Sequence, residues 1–291
     1  MRFADARTKG EELRAVGLQA AETARTRFPG GPAIFESLER EHAAGSSLLA
    51  GGLAYRLFLW LVPFGLVLAA IGSFWAESDS RSVVTTARKF GIGGAAARSA
   101  RAAFTDGAHS RWYLLAFGIV FLEWFGIGAV RALRVTHQIA WADRGGKLRN
   151  PLGASILFTA TVAIVSLLGA GSQWIRHNSD SWLGLLSLLG MFAVYAVVAV
   201  WAMSLLPHRT APRLALLPGA VLAGVGMILV QAFVSVYLAP RLERQPQIYG
   251  ALGGATVVLL WLYIVARLVV SAAFLNATLW DRRQRSTDAV D

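Results

Sequence analysis

Long, nearly uncharged apolar runs separated by short polar connections dominate the hydrophobic pattern of this chain. A helix needs roughly 20 apolar residues to cross a bilayer core about 30 Å thick. Runs of that length occur six times, and the only ionisable acidic or basic residues inside them are Arg56, Glu123 and Arg267. The pattern therefore predicts an all-α, polytopic membrane protein with six transmembrane helices. The predicted spans are about 48–75, 112–130, 152–172, 182–206, 214–238 and 251–279.

Two polar segments outside the spans have an amphipathic pattern. Residues 1–47 and 77–111 both place apolar side chains among charged ones, which is typical of helices that lie on a membrane surface. We expect an N-terminal amphipathic segment (1–47), an interfacial segment in the first loop (77–111) and a short polar tail (281–291) around a transmembrane domain (48–280).

Basic residues in the connections indicate the orientation. If the N-terminus is cytoplasmic, the segments on the cytoplasmic side hold more Lys and Arg than those on the other side. The first apolar run begins only at Leu48, so we expect no cleavable signal peptide. The predicted topology places both termini in the cytoplasm.

Composition and charge narrow the function. The chain has 15% charged residues, no cysteine and a net charge of +11. Because the basic residues are spread over both sides without interleaved aromatics, we expect anionic membrane lipid and not nucleic acid as the partner. The five histidines are isolated in sequence, and no catalytic motif is visible. We therefore predict no metal, no cofactor and no enzymatic activity.

The three embedded charges are the first candidate site. A charge inside a bilayer costs about 2.5 to 3.5 kcal/mol on insertion scales and persists where it is paired or lines water. Our hypothesis is that Glu123 pairs with Arg56 and Arg267, leaving one positive charge for a phosphate or carboxylate of a ligand. The alternative is that both arginines extend to the inner headgroups while Glu123 is protonated or bonded locally.

Polar residues on the same spans extend this candidate site. Tyr263 lies on the same helical face as Arg267, and Gln231 lies on a polar stripe of the fifth span, so both are candidate substrate-binding residues. Such stripes indicate either a hydrophilic cavity or hydrogen bonding between packed helices. Pro63 lies inside the first span, where a proline removes a backbone hydrogen bond and is expected to break or kink the helix.

Three stretches of the chain resemble the YihY/virulence factor BrkB family of bacterial inner-membrane proteins, formerly described as ribonuclease BN. The first has an Ala-Tyr pair followed by a proline, the second resembles that family's fourth loop and fifth span, and the third its last span. The stretches are Leu49–Pro63, then Leu206–Arg209 with Leu217–Ala220 and Tyr237, and finally Tyr249–Gly254 with Leu260–Tyr263 and Asn276.

The resemblance implies six spans, cytoplasmic termini and a location in the bacterial inner membrane. It also implies that the ribonuclease name is a misassignment. Because some members are linked to envelope lipid export, the resemblance makes transport of an anionic amphiphile the expected activity. We therefore expect a transporter, flippase or exporter of an anionic lipid-like or amphiphilic solute. The alternative is a non-transporting envelope scaffold whose surface helices recruit partners.

Overall fold

Helices account for all the regular secondary structure in the part of the chain that the computed structural model describes, residues 31–76, 111–143, 148, 150–178, 181–233 and 246–288. Of the predicted interfacial segment (77–111), residues 77–110 lie outside these ranges, as do the first thirty residues. A short 3-10 helix (Arg213–Leu216) precedes one of the α-helices. The α-helices are α1 (Gly31–Ala43), α2 (Ser46–Ala76), α3 (Arg111–Ala140), α4 (Pro151–Asn178), α5 (Ser181–Leu205), α6 (Leu217–Phe233) and α7 (Pro246–Asp288).

Six helical segments of the described chain are long and apolar enough to cross a membrane: α2 to α5, α6 together with the 3-10 helix before it, and α7. This confirms the predicted all-α polytopic fold. The largest shift of a single boundary is at the end of α3, which the apolar run alone would end near Val130 but which continues as a helix to Ala140. Arg131 and Arg134 lie in this continuation. They do not end the helix, because a long basic side chain can extend from a helix toward polar surroundings.

The spanning helices form a closed circuit. Each packs against the next helix along the chain, and the last one, α7, returns to pack against α2. Helix α7 also contacts α1, α3 and α6, so it is the central element of the bundle. We call the end of the bundle at which α2 begins (Ser46) and α3 ends (Ala140) the base.

Helix α1 is joined to α2 by a tight turn at Ala44 and Gly45. Gly45 has a φ of +66°, a left-handed conformation that glycine adopts without steric cost, and its amide donates to the carbonyl of His42 at 3.0 Å. The turn redirects the chain so that α1 packs along α7. Helix α1 is therefore part of the folded bundle at its base.

Pro63 does not interrupt the first span. Helix α2 runs as one helix from Ser46 to Ala76 with Pro63 inside it, so the proline does not end the helix, and the kink expected there stays a prediction. Pro63 is buried within the bundle. Neighbouring helices are what allow a proline to be accommodated in the interior of a transmembrane helix.

The largest buried cluster lies at the base, where Trp141, Leu216 and Phe274 come together from three parts of the chain. Asn276 ties this cluster together with hydrogen bonds. Its Oδ1 accepts from the amide of Gly219 at 2.7 Å, and its Nδ2 donates to the carbonyl of Leu216 at 3.1 Å. A Cβ on Gly219 would lie 2.5 Å from the carbonyl oxygen of Ala272, so only glycine permits this approach of α6 to α7.

Candidate functional site

Arg267 is held at the base by one residue of α1 and by the first residue of α2. Its Nη2 lies 3.0 Å from Oε1 of Glu41, and its Nη1 donates to the hydroxyl of Ser46. The same carboxylate oxygen of Glu41 accepts a hydrogen bond from Ser271 at 3.0 Å. Glu41 is buried, with a residue exposure of 1%. Its carboxylate is therefore the counter-ion of Arg267, and the hypothesis that Glu123 fills that role is wrong.

Further ion pairs continue this arrangement along α1 and α7. Arg40 lies 2.6 Å from Asp281, and Arg209 reaches the other oxygen of the same carboxylate at 3.0 Å. Glu36 pairs with Arg282 and Arg285 at 3.0 and 3.3 Å. We call these residues, together with Glu41, Ser46, Arg267 and Ser271, the base network. It attaches α1 to α7 through side chains of opposite charge.

Arg56 lies in a different environment, ten residues along α2 from Ser46. Its side chain is exposed in the groove between α2 and α3, with Nη1 3.1 Å from the position that a Cβ on Gly128 would take. The absence of a side chain at Gly128 therefore makes room for the guanidinium group. Among the ion pairs formed by the described residues, none involves Arg56.

Glu123 lies on α3, nearer to Leu115 than to Ala140, the two ends of that candidate span. Its Oε2 is buried and has no hydrogen-bond partner in the described part of the chain. Its backbone carbonyl accepts a hydrogen bond from Ser155 of α4 at 3.3 Å.

Helix geometry explains why Glu123 and Arg56 do not pair. Five residues separate Glu123 from Gly128, against which Arg56 packs. At 3.6 residues per turn, that separation places them about 140° apart around the axis of α3. The structure therefore does not bring the three embedded charges together.

Polar residues of the spanning helices form hydrogen bonds from one helix to another. Tyr195 of α5 donates to Gln231 of α6 at 3.3 Å, and Trp60 of α2 donates to Thr159 of α4 at 3.2 Å. Tyr263 packs against the buried cluster at the base. These contacts agree with the packing interpretation of the polar stripes. Substrate binding by Tyr263 and Gln231 stays a prediction.

Sequence reasoning missed two charged residues that the structure makes prominent. The amphipathic pattern of residues 1–47 predicts a surface helix that includes Glu41, but Glu41 is buried in α1. The apolar pattern places Arg131 in a loop, but it is an exposed residue of α3 one helical turn from Gly128. The sequence signal that could have identified Arg131 is its spacing of three residues from Gly128, which places the two residues near one face of a helix.

Comparison with known proteins identifies related membrane proteins. The chain is 24% identical over 242 residues to a UPF0761 membrane protein of Stenotrophomonas maltophilia, a match that covers 79% of this chain and 56% of that protein. It is 27% identical over 259 residues to a UPF0761 membrane protein of Pseudomonas aeruginosa, covering 80% and 60%. The chain thus spans less than two thirds of the length of these curated relatives.

A shorter match, 32% identity over 68 residues, relates 23% of the chain to 24% of the ribonuclease-like protein YfkH of Bacillus subtilis. No solved structure matches the chain. The family model described as virulence factor BrkB matches residues 37–290, a range that includes every spanning helix and the buried Glu41. The chain therefore belongs to the virulence factor BrkB family of membrane proteins.

Proposed function

We propose that this protein transports an anionic lipid-like or amphiphilic solute across the bacterial inner membrane, as a flippase or exporter, with both termini in the cytoplasm. The observation that carries the proposal is Arg56, an exposed guanidinium group inside the first candidate span, Ser46–Leu68. No acidic side chain pairs with it among the ion pairs of the described residues. A passing anion would supply the missing charge.

The energetic cost of Arg56 supports this interpretation. A cation at the centre of a transmembrane helix costs about 2.5 to 3.5 kcal/mol on insertion scales, and such residues commonly serve substrate pathways. A guanidinium group binds phosphate and carboxylate through two parallel hydrogen bonds. These properties favour a phosphate-bearing or carboxylate-bearing solute over a neutral one.

The remaining predicted site residues have different structural support. Glu123 is a second embedded acidic residue with a buried, unpartnered oxygen, so we propose it as a further polar contact of the solute. Arg267 already has Glu41 as its counter-ion, so we propose that it shapes the base of the pathway. We propose Tyr263 and Gln231 as secondary contacts of the solute.

A flipping assay tests the proposal. The full chain is reconstituted into liposomes containing fluorescent phosphatidylglycerol or fluorescent phosphatidylcholine, and dithionite quenching reports the movement of each lipid between leaflets. We expect the protein to accelerate the flipping of phosphatidylglycerol more than that of phosphatidylcholine. In the Arg56→Gln variant the rate of phosphatidylglycerol flipping should fall by at least about tenfold. Arg283→Gln is the charge-matched control, because Arg283 is exposed in the polar end of α7. Rates equal to those of protein-free liposomes would overturn the proposal.

One observation favours the alternative, a non-transporting scaffold. Helix α1 leaves Ile34 and Leu38 about half exposed, one turn apart on one face, while its charged residues pair with α7. The Ile34→Ser/Leu38→Ser variant separates the two functions. A scaffold would lose its partner in affinity purification from membranes, whereas a transporter would retain lipid flipping.

A further inference from the structure

Helix α3 carries a stripe of exposed aromatic side chains on the side that faces away from the bundle. Phe117, Phe121 and Trp124 have exposures of 63%, 51% and 73%, and their spacing of four and three residues places them on one face. Phe121 also stacks on Phe125, with ring centroids 6.2 Å apart, which orients its ring. All of these residues lie in the candidate span Leu115–Ala140.

Two arginines lie at the end of this stripe nearest the base. Gly128 and Arg131 continue the same face of α3, and the guanidinium group of Arg56 packs against Gly128 from the neighbouring helix. The backbone at Arg131 lies about 4.5 Å further along the axis than that at Gly128, one residue rise being 1.5 Å. Two long, flexible arginine side chains at this spacing can reach the same anion.

Neither arginine is neutralised within the described residues. Arg56 and Arg131 are both exposed, and no ion pair of the described chain includes either of them. The embedded carboxylate, Glu123, lies on another side of α3. Two unneutralised cations therefore lie beside an apolar, aromatic surface within a spanning helix.

We infer that the groove between α2 and α3, together with the exposed face of α3 beside it, binds an anionic phospholipid from the surrounding bilayer, with its phosphate between Arg56 and Arg131 and an acyl chain along Trp124, Phe121 and Phe117. The inference rests on the proposed function because it names the substrate class and the place where that substrate first contacts the protein. Binding itself is measurable without transport.

The dimensions and chemistry of the groove fit this ligand. From Phe117 to Gly128 the helix rises about 16 Å, close to half the thickness of a bilayer core of about 30 Å. Apolar side chains along that length suit an acyl chain, and paired guanidinium groups suit a phosphate. The site opens sideways to the bilayer, so a lipid reaches it without leaving the membrane.

Gly128 gives the site a steric requirement. A Cβ there would lie 3.1 Å from Nη1 and 3.6 Å from Cδ of Arg56. A larger side chain must push the guanidinium group out of the groove. Gly128→Leu therefore removes one phosphate contact without removing a charge.

Native mass spectrometry of the purified full chain, titrated with phosphatidylglycerol or phosphatidylcholine, tests this inference. We expect one tightly bound phosphatidylglycerol and a preference over phosphatidylcholine that falls by at least about tenfold in Arg56→Gln/Arg131→Gln. Gly128→Leu should lower the preference for phosphatidylglycerol by a smaller factor. Trp124→Ala should weaken the binding of both lipids equally. Arg283→Gln, which removes the same charge elsewhere, should keep the wild-type preference.

Three results would overturn the inference: equal affinity of the wild type for the two lipids, an unchanged preference in the double variant, or an equal loss in Arg283→Gln. Its failure is distinguishable from failure of the proposed function. A wild type that flips phosphatidylglycerol without preferential binding retains the transport function but excludes this groove as the entry site. Preferential binding without flipping retains the groove and excludes transport.

Discussion

Arg267 and Arg56 are both arginines of spanning helices, but their surroundings differ. Arg267 lies at the base with a buried carboxylate and a hydroxyl group as partners. Arg56 is exposed in a groove and packs against a glycine. The first is a charge that the fold has neutralised, and the second is a charge that the fold leaves available. An embedded charge therefore indicates a binding site only if no other part of the chain supplies its counter-ion.

The largest effect should come from removing Glu41. Glu41→Ala leaves Arg267 and Ser271 without their acceptor at a buried position, and breaking a buried pair typically costs 3 to 5 kcal/mol. Since the side chain of Arg267 is 37% exposed, water can compensate part of the loss, and we expect about 2 to 3 kcal/mol. Thermal unfolding in detergent should show a fall of the midpoint by roughly 5 to 10 °C.

The matched control for that variant is Glu36→Ala on the same helix. Glu36 pairs with two arginines that are 40% and 67% exposed, so its loss should cost less than about 1 kcal/mol. Equal effects of the two variants would contradict the distinction between a buried and a peripheral part of the base network.

Asn276 provides the next largest effect and tests whether the base is also fixed by neutral polar groups. Asn276→Ala removes the partners of the Gly219 amide and the Leu216 carbonyl, both inside the bundle. Leaving buried backbone groups unsatisfied should cost about 2 kcal/mol. The same thermal unfolding measurement applies.

Gln231→Ala is the comparison for Asn276→Ala, because its bond with Tyr195 also joins two spanning helices. Single interhelical hydrogen bonds between side chains average only about 0.6 kcal/mol in membrane proteins. If Gln231→Ala destabilised the protein as much as Asn276→Ala, the hydrogen bonds at the base would contribute no more to stability than those elsewhere in the bundle, which contradicts this prediction.

The sequence predicts the number and class of helices well for a physical reason. Lipid requires about 20 apolar residues for each spanning helix, so the spans are visible as local runs. The end of α3 is harder to predict from the sequence, because Arg131 and Arg134 resemble the start of a polar loop. They remain helical because backbone hydrogen bonds continue while long side chains reach polar surroundings.

The pairing of charges was beyond prediction from local pattern. Glu41 and Arg267 are distant in sequence, and Glu41 belongs to a segment with the pattern of a surface helix. Only the turn at Gly45, which brings α1 alongside α7, makes their contact possible. The position of Arg56 over Gly128 likewise depends on the register between α2 and α3, which apolar periodicity does not specify.

Glu123→Gln removes an embedded acidic group, and unlike the preceding variants it should not destabilise the protein. A carboxylate oxygen without a hydrogen-bond partner in apolar surroundings is destabilising, so the neutral amide should leave stability unchanged or raise it by up to about 1 kcal/mol. We expect an unchanged or higher unfolding midpoint together with slower lipid flipping. A clear fall in the midpoint would mean that the carboxyl group has a stabilising partner, which contradicts its unpartnered oxygen in the structure.

The smallest effect on stability should come from Arg56→Gln, although we expect this variant to impair transport. An exposed side chain with no ion pair in the described chain contributes little to folding, so its loss should change stability by less than about 0.5 kcal/mol. Arg267→Gln is the direct counterpart, because it leaves the buried Glu41 without a cation and should lower the unfolding midpoint clearly. If thermal unfolding ranks these two variants in the reverse order, Arg56 has a structural partner and the groove between α2 and α3 loses its available charge.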